Sequence, residues 1–429
     1  MKQVISGVHS IVPGRSATVD AVVLGAGVVG VTTAYALARR GLSVALVDSK
    51  PGPGLVTSFA NGAQLSYAYS DTLASSSLWS KLPWMALGID RMMQVKWSLD
   101  PDLFRWGMQF LANCNSTSQR EGTLATLTLA LESQVALHDL LARHPLSFGF
   151  SKAGKMHLYF DRSDLLSAGQ GVALKRAHGA VQEVLSAKEA AAVEPALEGM
   201  KDLAGAVFSP HDEVGDPHKF CVELVQVLER EYGVKTFFGM TARTAEFATD
   251  RVTMLGTGGE TICGRSLVVA LGNGAVPFLK PLGVRVPVMP MKGYSFTAPL
   301  GANAPKVSLT DTARKLVFCR LSGMIRVAGG AELGNRDGQV DKSRLGLLVE
   351  AAKSSLADAA DYSNIESGWA GLRPMTPSSL PIIVQPRERL VLNVGHGMLG
   401  WTLAMGAAER AAALVLKDER KNAMKENAL

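Results

Sequence analysis

The stretch 21–38, AVVLGAGVVGVTTAYALA, carries no charged residue and is long enough to cross a bilayer, so its conformation decides what this chain folds into. Its periodicity is not that of one helix. Residues 22–24 are a short continuous apolar run, as in a strand buried on both faces of a parallel sheet. Glycines 25, 27 and 30 follow, and Ala34, Leu37 and Ala38 then recur at helical spacing until Gly41. A second apolar run, 44–47, ends at Asp48. Strand, G-x-G-x-x-G turn, helix, strand and acid, with the acid about 20 residues on, are the parts of a dinucleotide-binding unit. Gly25 permits the tight turn, Gly27 lets a pyrophosphate approach the backbone, and Gly30 lets the helix pack on the strand. The helix N-terminus at Val28 and Val29 then faces phosphate. Asp48 is placed to accept from ribose hydroxyls, which disfavours a 2′-phosphate and therefore NADP.

The remainder of the chain predicts a second domain. A helix is expected over 121–141, a strand over 155–160, and a helix opened by Asp216-Pro217 and closed by Gly233. Short β segments follow at 236–238, 242–247, 252–255 and 267–270, the last leading into a glycine turn at Gly272 that again faces a cofactor. Further strands are expected at 285–288, 294–298, 316–319 and 325–328, with a helix over 345–356. Residues 390–408, LVLNVGHGMLGWTLAMGAA, are a second charge-free stretch. Asn393, Gly395, His396, Gly397 and Gly400 would leave polar groups and breaks in lipid, so a strand, a glycine-rich loop and a helix fit better than a span. Such a loop offers backbone donors to an electron-rich ligand.

Composition narrows the class. With 47% apolar and 19% charged residues the chain is globular, and its 44 basic against 38 acidic residues leave a net +6 without any long basic run. Nucleic acid is therefore not an expected partner. Four scattered cysteines, 114, 221, 263 and 319, indicate neither a disulfide framework nor a metal site and suit a reducing cytosol. The first twenty residues contain no continuous apolar core, so no secretory signal is read there. Between 70 and 114, Trp79, Trp84, Trp97 and Trp106 alternate with Lys81, Arg91, Lys96 and Arg105. This pattern fits a membrane-interface segment, a partner groove, or a core helix with snorkelling bases.

The glycines alone leave NAD and FAD open, but the longer motifs do not. GAGVVG at 25–30, TSFANGAQLS at 57–66, VEPAL at 193–197, MKGYS at 291–295, WAGLRPMTP at 369–377 and GHGMLGWTLA at 395–404 make the chain resemble the D-amino acid dehydrogenases. These belong to the larger group of FAD-dependent amine oxidoreductases that includes D-amino acid oxidase, glycine oxidase and sarcosine oxidase. The resemblance runs from Asp20 to about 416. It departs after MTP, where the text is SSLPIIV, and at Arg314, where many relatives carry a tyrosine.

The resemblance implies an α/β protein: a doubly wound, Rossmann-like FAD-binding domain built from discontinuous segments (20–75, 155–284 and 363–418), and a second, β-rich α+β substrate domain (76–154 and 285–362). Residues 1–19 would be an N-terminal extension. FAD would be held by Gly25, Gly27, Val28, Val29, Gly30 and Asp48. Ser58, Asn61, Gly62 and Gln64 would run along the flavin, with Ala242 and Gly272 beside the nucleotide. Gly395, His396, Gly397, Leu399, Gly400, Trp401 and Thr402 would lie near the flavin's pyrimidine edge, His396 through its backbone or its ring. Arg373, in Gly-Leu-Arg-Pro, would pair with a substrate carboxylate, a task suited to a planar guanidinium. Tyr294 and Tyr67 are candidates to complete the substrate site, and Lys292 lies either near the flavin or at the surface.

The implied reaction is oxidation of a D-amino acid to a 2-oxo acid and ammonia, with electrons passed to a quinone or dye. The alternatives are oxidation of a cyclic imino acid such as D-proline or hydroxy-D-proline and, more remotely, action on an RNA-borne aminomethyl group. A cytoplasmic enzyme is expected, in peripheral contact with the inner face of the membrane.

Overall fold

The structure, a computed structural model, describes residues 16–75, 92–96 and 99–426, with side chains as far as 418. Strand Ser16–Leu24 lies inside an eight-stranded sheet, parallel to Val44–Asp48 on one side and Thr261–Val269 on the other. Lys235–Phe238 extends the parallel set beyond Val44–Asp48, and Leu390–Val394 pairs parallel with residues 267–269. Residues 21–24 and 44–47 are at most 1% exposed, which is why they read as unbroken apolar runs.

One face of this sheet is covered by helices Val28–Ala38, Ser116–Arg143, Pro217–Tyr232 and Gly400–Glu426, which share one core with Val23, Leu46, Val268 and Val391. Both charge-free stretches are thereby accounted for. The first is strand, turn and helix. In the second, Gly397–Asp418 has the length and composition of a span, but 61% of it is buried inside the protein. Thr32 of the first helix donates to the Ala404 carbonyl of the last at 3.1 Å, so the two chain ends close one domain.

The second sheet has nine strands. Its edge strand Ser367–Met375 pairs antiparallel with Met289–Pro299, which pairs antiparallel with Met324–Leu333. Leu316–Leu321, Ser308–Asp311, Lys155–Tyr159, Gly205–Ser209 and Glu183–Ser186 follow in that order. Helix Lys342–Ser355 covers one face, contributing Leu348 and Ala352 to a core with Phe296 and Phe318. The other face looks toward the nucleotide domain.

The sheets divide the chain differently from the expected boundaries. Three strands within 155–209, and the strand that bears Arg373, belong to the second sheet. Helix Ser116–Arg143 packs on the first. Periodicity identifies a strand but not its partner: Lys155–Tyr159 pairs in parallel with Ser308–Asp311, far along the chain. The extension expected to end at 19 ends earlier, since Ser16 to Val19 pair with residues 261–264. Residues 285–288 are not a strand; Pro287 lacks the ladder donor, and the strand begins at Met289. Of the tryptophan and basic residues, Trp79, Trp84, Trp97, Lys81 and Arg91 lie outside the described residues.

Candidate active site

The glycine turn is sterically closed to side chains. A Cβ on Gly25, whose φ is +103°, would meet the Ala270 carbonyl oxygen at 2.5 Å, and one on Gly30 would lie 1.6 Å from the Gly25 oxygen. Beyond the turn, Gly27 makes no side-chain cap for the helix, and the Val28 amide donates to Ser58 Oγ at 3.0 Å. Asp48 accepts from the Ala26 amide at 2.7 Å and from the Lys50 amide at 2.8 Å, so it also holds the turn it follows. The Met240 amide donates to the Asp48 carbonyl at 3.0 Å, bringing the strand that starts at Ala242 alongside. A helix N-terminus bordered by glycine and a serine hydroxyl fits a pyrophosphate.

Three loops converge on the Arg373 strand. The Leu372 carbonyl accepts from Thr57 Oγ1 at 2.9 Å and from Asn273 Nδ2 at 2.8 Å. Gly272, at φ +56°, lies against Pro374, and Gly397, also at φ +56°, lies against the Met375 sulfur. Gly395 sits at φ +78°, where a Cβ would meet Thr376 at 2.5 Å.

Within residues 57–64, the Ala60 carbonyl accepts from Ser295 Oγ at 2.5 Å and Asn61 Oδ1 accepts from the Ala63 amide at 2.9 Å. A Cβ on Gly62 would touch Ala328 and Val317 of the second sheet. Gln64 Nε2 donates to Ser308 Oγ at 2.6 Å, Thr402 Oγ1 accepts from the Ser66 amide at 2.9 Å, and Trp401 Nε1 donates to the Gly215 carbonyl at 3.0 Å. These three side chains tie the loops together. His396 is 4% exposed and its Nε2 has no partner; burial lowers its pKa to about 4, so the ring is neutral at pH 7. Asn273 Oδ1 is likewise buried without a partner. Orphaned polar atoms in the loops that meet at this strand fit a ligand with its own polar edge, as FAD has. Leu399 and Gly400 carry the loop into the last helix.

Arg373 lies opposite Met291 in the ladder. Its guanidinium lies over Gly293, where a Cβ would sit 2.3 Å from Nη2, and Nη1 donates to the Gly330 carbonyl at 3.2 Å. Among the described residues it has no carboxylate partner. Burial alone draws its pKa down to about 10, so the group is charged at neutral pH. Strand alternation puts Met289, Met291, Gly293 and Ser295 on this face, and Ser295 reaches the Ala60 loop.

The two tyrosines do not complete this face. Tyr294 alternates to the opposite side, packs with Phe296 and Leu348, and donates to Glu332 Oε1 at 3.1 Å, the oxygen that Arg344 Nε also meets at 2.8 Å. Burial, then the Glu332 charge, push its hydroxyl pKa up. Lys292 is 1% exposed, 5.3 Å over the Tyr294 ring and 3.5 Å from Asp337. Tyr67 is in the nucleotide-domain core, donating to Glu213 Oε2 at 3.0 Å, with its pKa raised mainly by burial. Arg314 pairs with Asp311 at 3.0 Å. In VEPAL, Glu194 is structural: it accepts from the Lys306 and Val307 amides, each at 2.7 Å.

Residues given no site role from sequence also shape the site. Gly293 makes room for the guanidinium and the Gly330 carbonyl accepts from it; a glycine inside a strand, as at 293, is the signal that marks such close approach. Trp106 is 3% exposed and donates from Nε1 to the Met375 carbonyl at 3.1 Å.

A glycine turn at a helix N-terminus, with a cation on the second sheet where the 57–64, 272–273 and 395–397 loops meet, fits a flavoprotein. Residues 20–414 match the family model described as FAD dependent oxidoreductase (DAO). D-amino acid dehydrogenase 2 of Ralstonia nicotianae is 39% identical over 407 residues, spanning 92% of this chain and 96% of the relative. D-amino acid dehydrogenase of Paramagnetospirillum magneticum is 38% identical over 400 residues, spanning 92% and 94%. Among solved structures, glycine oxidase from Geobacillus kaustophilus superposes with a TM-score of 0.72 at 19% identity over 93% of this chain and 95% of that one. L-proline dehydrogenase from P. horikoshii gives 0.73 at 17% identity over 95% and 94%. The chain belongs to the FAD dependent oxidoreductase family. It is an FAD-dependent enzyme with the α/β, Rossmann-like architecture expected from its motifs.

Proposed function

We propose that the enzyme oxidises the Cα–N bond of D-amino acids to an imine that water hydrolyses to a 2-oxo acid and ammonia, and that a quinone takes the electrons. The observation that carries the substrate class is Arg373, a charged guanidinium with no acidic partner among the described residues, set on the strand where the FAD loops meet. Two parallel hydrogen bonds from it grip an α-carboxylate and fix the substrate's orientation. Bound FAD supplies the acceptor for the hydride leaving Cα. Neutral His396 adds no positive charge that would compete for the carboxylate. No strong base is required when the amine enters neutral. The names of the relatives at 39% and 38% identity agree with this substrate class. Anaerobic mixing with D- and L-amino acids and D-proline tests it: D-amino acids should bleach the flavin, and bleaching by L-amino acids alone overturns the reading.

The membrane part of the proposal is that electrons leave at the inner face of the cytoplasmic membrane. Support comes from Leu99, Phe104 and Met108, strongly exposed on and beside helix Pro101–Asn113, with exposed Lys96 and Arg105 nearby. Apolar side chains bordered by bases suit an anionic bilayer surface, at about 1 kcal/mol per base. Co-sedimentation with anionic vesicles that weakens with salt is expected; no sedimentation refutes the contact.

A further inference from the structure

We propose that the apolar cavity between helix Pro101–Asn113 and the sheet receives the substrate side chain, with Trp106, Phe110, Met291, Ala331 and Leu333 setting the size and polarity accepted. The inference rests on the D-amino acid reading and deepens it.

The cavity adjoins Arg373 through two strands. Met291, in its wall, is the ladder partner of Arg373. Ala331, also in its wall, follows Gly330, whose carbonyl takes the Arg373 hydrogen bond. Met291 and Gly293 share a face by alternation, so a carboxylate held over Gly293 has Met291 beside it on the same surface. Met375 packs in one cluster with the wall residues Trp106 and Met291; its sulfur lies against Gly397 of the flavin loop and its carbonyl is held by the Trp106 indole. Carboxylate anchor and cavity therefore sit side by side on one face of the sheet, with the flavin loop packed on the neighbouring Met375.

The walls are packed against one another. Trp106 and Phe110 stack with ring centroids 5.1 Å apart and belong to one cluster with Leu103, Met289, Met291 and Met375. The segment Met93–Val95 closes the top, pairing with residues 331–333, and the Ala331 amide donates to the Met92 carbonyl at 2.8 Å. The lining is apolar apart from Gln94, and the volume is about 30 Å³. That is roughly two to three times what one water needs. Such a space takes the end of a short alkyl chain, rejects an aromatic ring, and leaves a charged or amide-bearing side chain without hydrogen bonds.

Three measurements of flavin reduction under anaerobic conditions, all on FAD-loaded protein, test this. In the wild-type enzyme, D-leucine should exceed its near-isostere D-asparagine in kcat/KM by ~10-fold or more, since an unpaired buried amide is penalised more than a missing methylene. Ala331→Leu should lower the D-norvaline to D-alanine ratio of kcat/KM by ~10-fold or more, and Phe110→Ala should raise the D-phenylalanine to D-alanine ratio by a similar factor. A preference for D-asparagine, or unchanged ratios in the variants, overturns the pocket while leaving the D-amino acid reading intact. Absence of reduction by every D-amino acid in the wild type overturns the functional reading itself. The wild-type comparison decides the matter if a variant fails to retain FAD.

Discussion

Two arginines on the same face of the second sheet have opposite surroundings. Arg326, opposite Thr297, gives one nitrogen to Asp216 at 3.0 Å and another to the Thr297 hydroxyl at 3.3 Å. Asp216 in turn caps helix Pro217–Tyr232 through the His218 and Lys219 amides. Further along the sheet, Arg373 has a carbonyl and no carboxylate among the described residues. The first arginine bolts the nucleotide domain to the sheet, and its charge is neutralised within the fold. The second holds a charge that the fold leaves uncompensated. Arg373 is half-buried and partly desolvated without a counter-charge, which suits an anion arriving from outside, and the difference separates a structural arginine from a binding one.

Removing each in turn is the sharpest way to break this comparison. Arg326→Ala strands the buried Asp216 carboxylate and should lower unfolding free energy by about 3–5 kcal/mol in urea titrations. The double variant Arg326→Met, Asp216→Asn should recover part of it. Equal losses for single and double variants mean that the pair is not the bolt described. Arg373→Ala should leave unfolding almost unchanged, retain FAD, and cost about 2–5 kcal/mol in kcat/KM for D-amino acids. Arg373→Lys should recover little, because an ammonium cannot present two parallel donors. Loss of FAD, or wild-type substrate dependence, places Arg373 among the structural residues.

The same distinction between satisfied and waiting groups extends to smaller effects. His396 is buried neutral with a pKa of about 4, below the unfolded 6.5. Between those values the unfolded chain binds a proton that the native state does not, so stability falls as pH drops from about 6.5 to 4, by about 3 kcal/mol at most. His396→Gln should flatten that slope; an equally steep slope rejects the assignment. Ser58→Ala removes the side-chain acceptor at the Val28 amide and should cost the FAD-free protein about 1 kcal/mol, as lost helix caps do. No change in its thermal midpoint would indicate that water replaces the hydroxyl.

Local chemistry was legible in the sequence wherever one residue type answers one backbone requirement. The strand, glycine turn, helix and strand around Gly25 and Gly30 are present because no side chain fits there. Asp216 and Gly233 begin and end their helix as read, the latter at φ +63°. Glycine breaks in 390–408 distinguished a loop and helix from a span. The faces and partners of residues were not legible. Tyr294 and Arg373 both come from motifs shared with the family, yet strand alternation along their continuous ladder sends one to the Lys342–Ser355 helix and the other toward the flavin loops. Tyr67 directly follows the motif at 57–66 that carries the flavin loop and is buried in the helical core.

By itself, then, the sequence determined the dinucleotide turn, because it follows from backbone sterics within a few residues, while the cofactor class and the arginine candidate for a carboxylate came from the longer motifs through the family they resemble. The tertiary structure decided which sheet each strand joined, which arginine was left unpaired, and which apolar residues stand beside it. Those outcomes depend on contacts between segments far apart in the chain, and a residue's own neighbours in sequence carry no record of them.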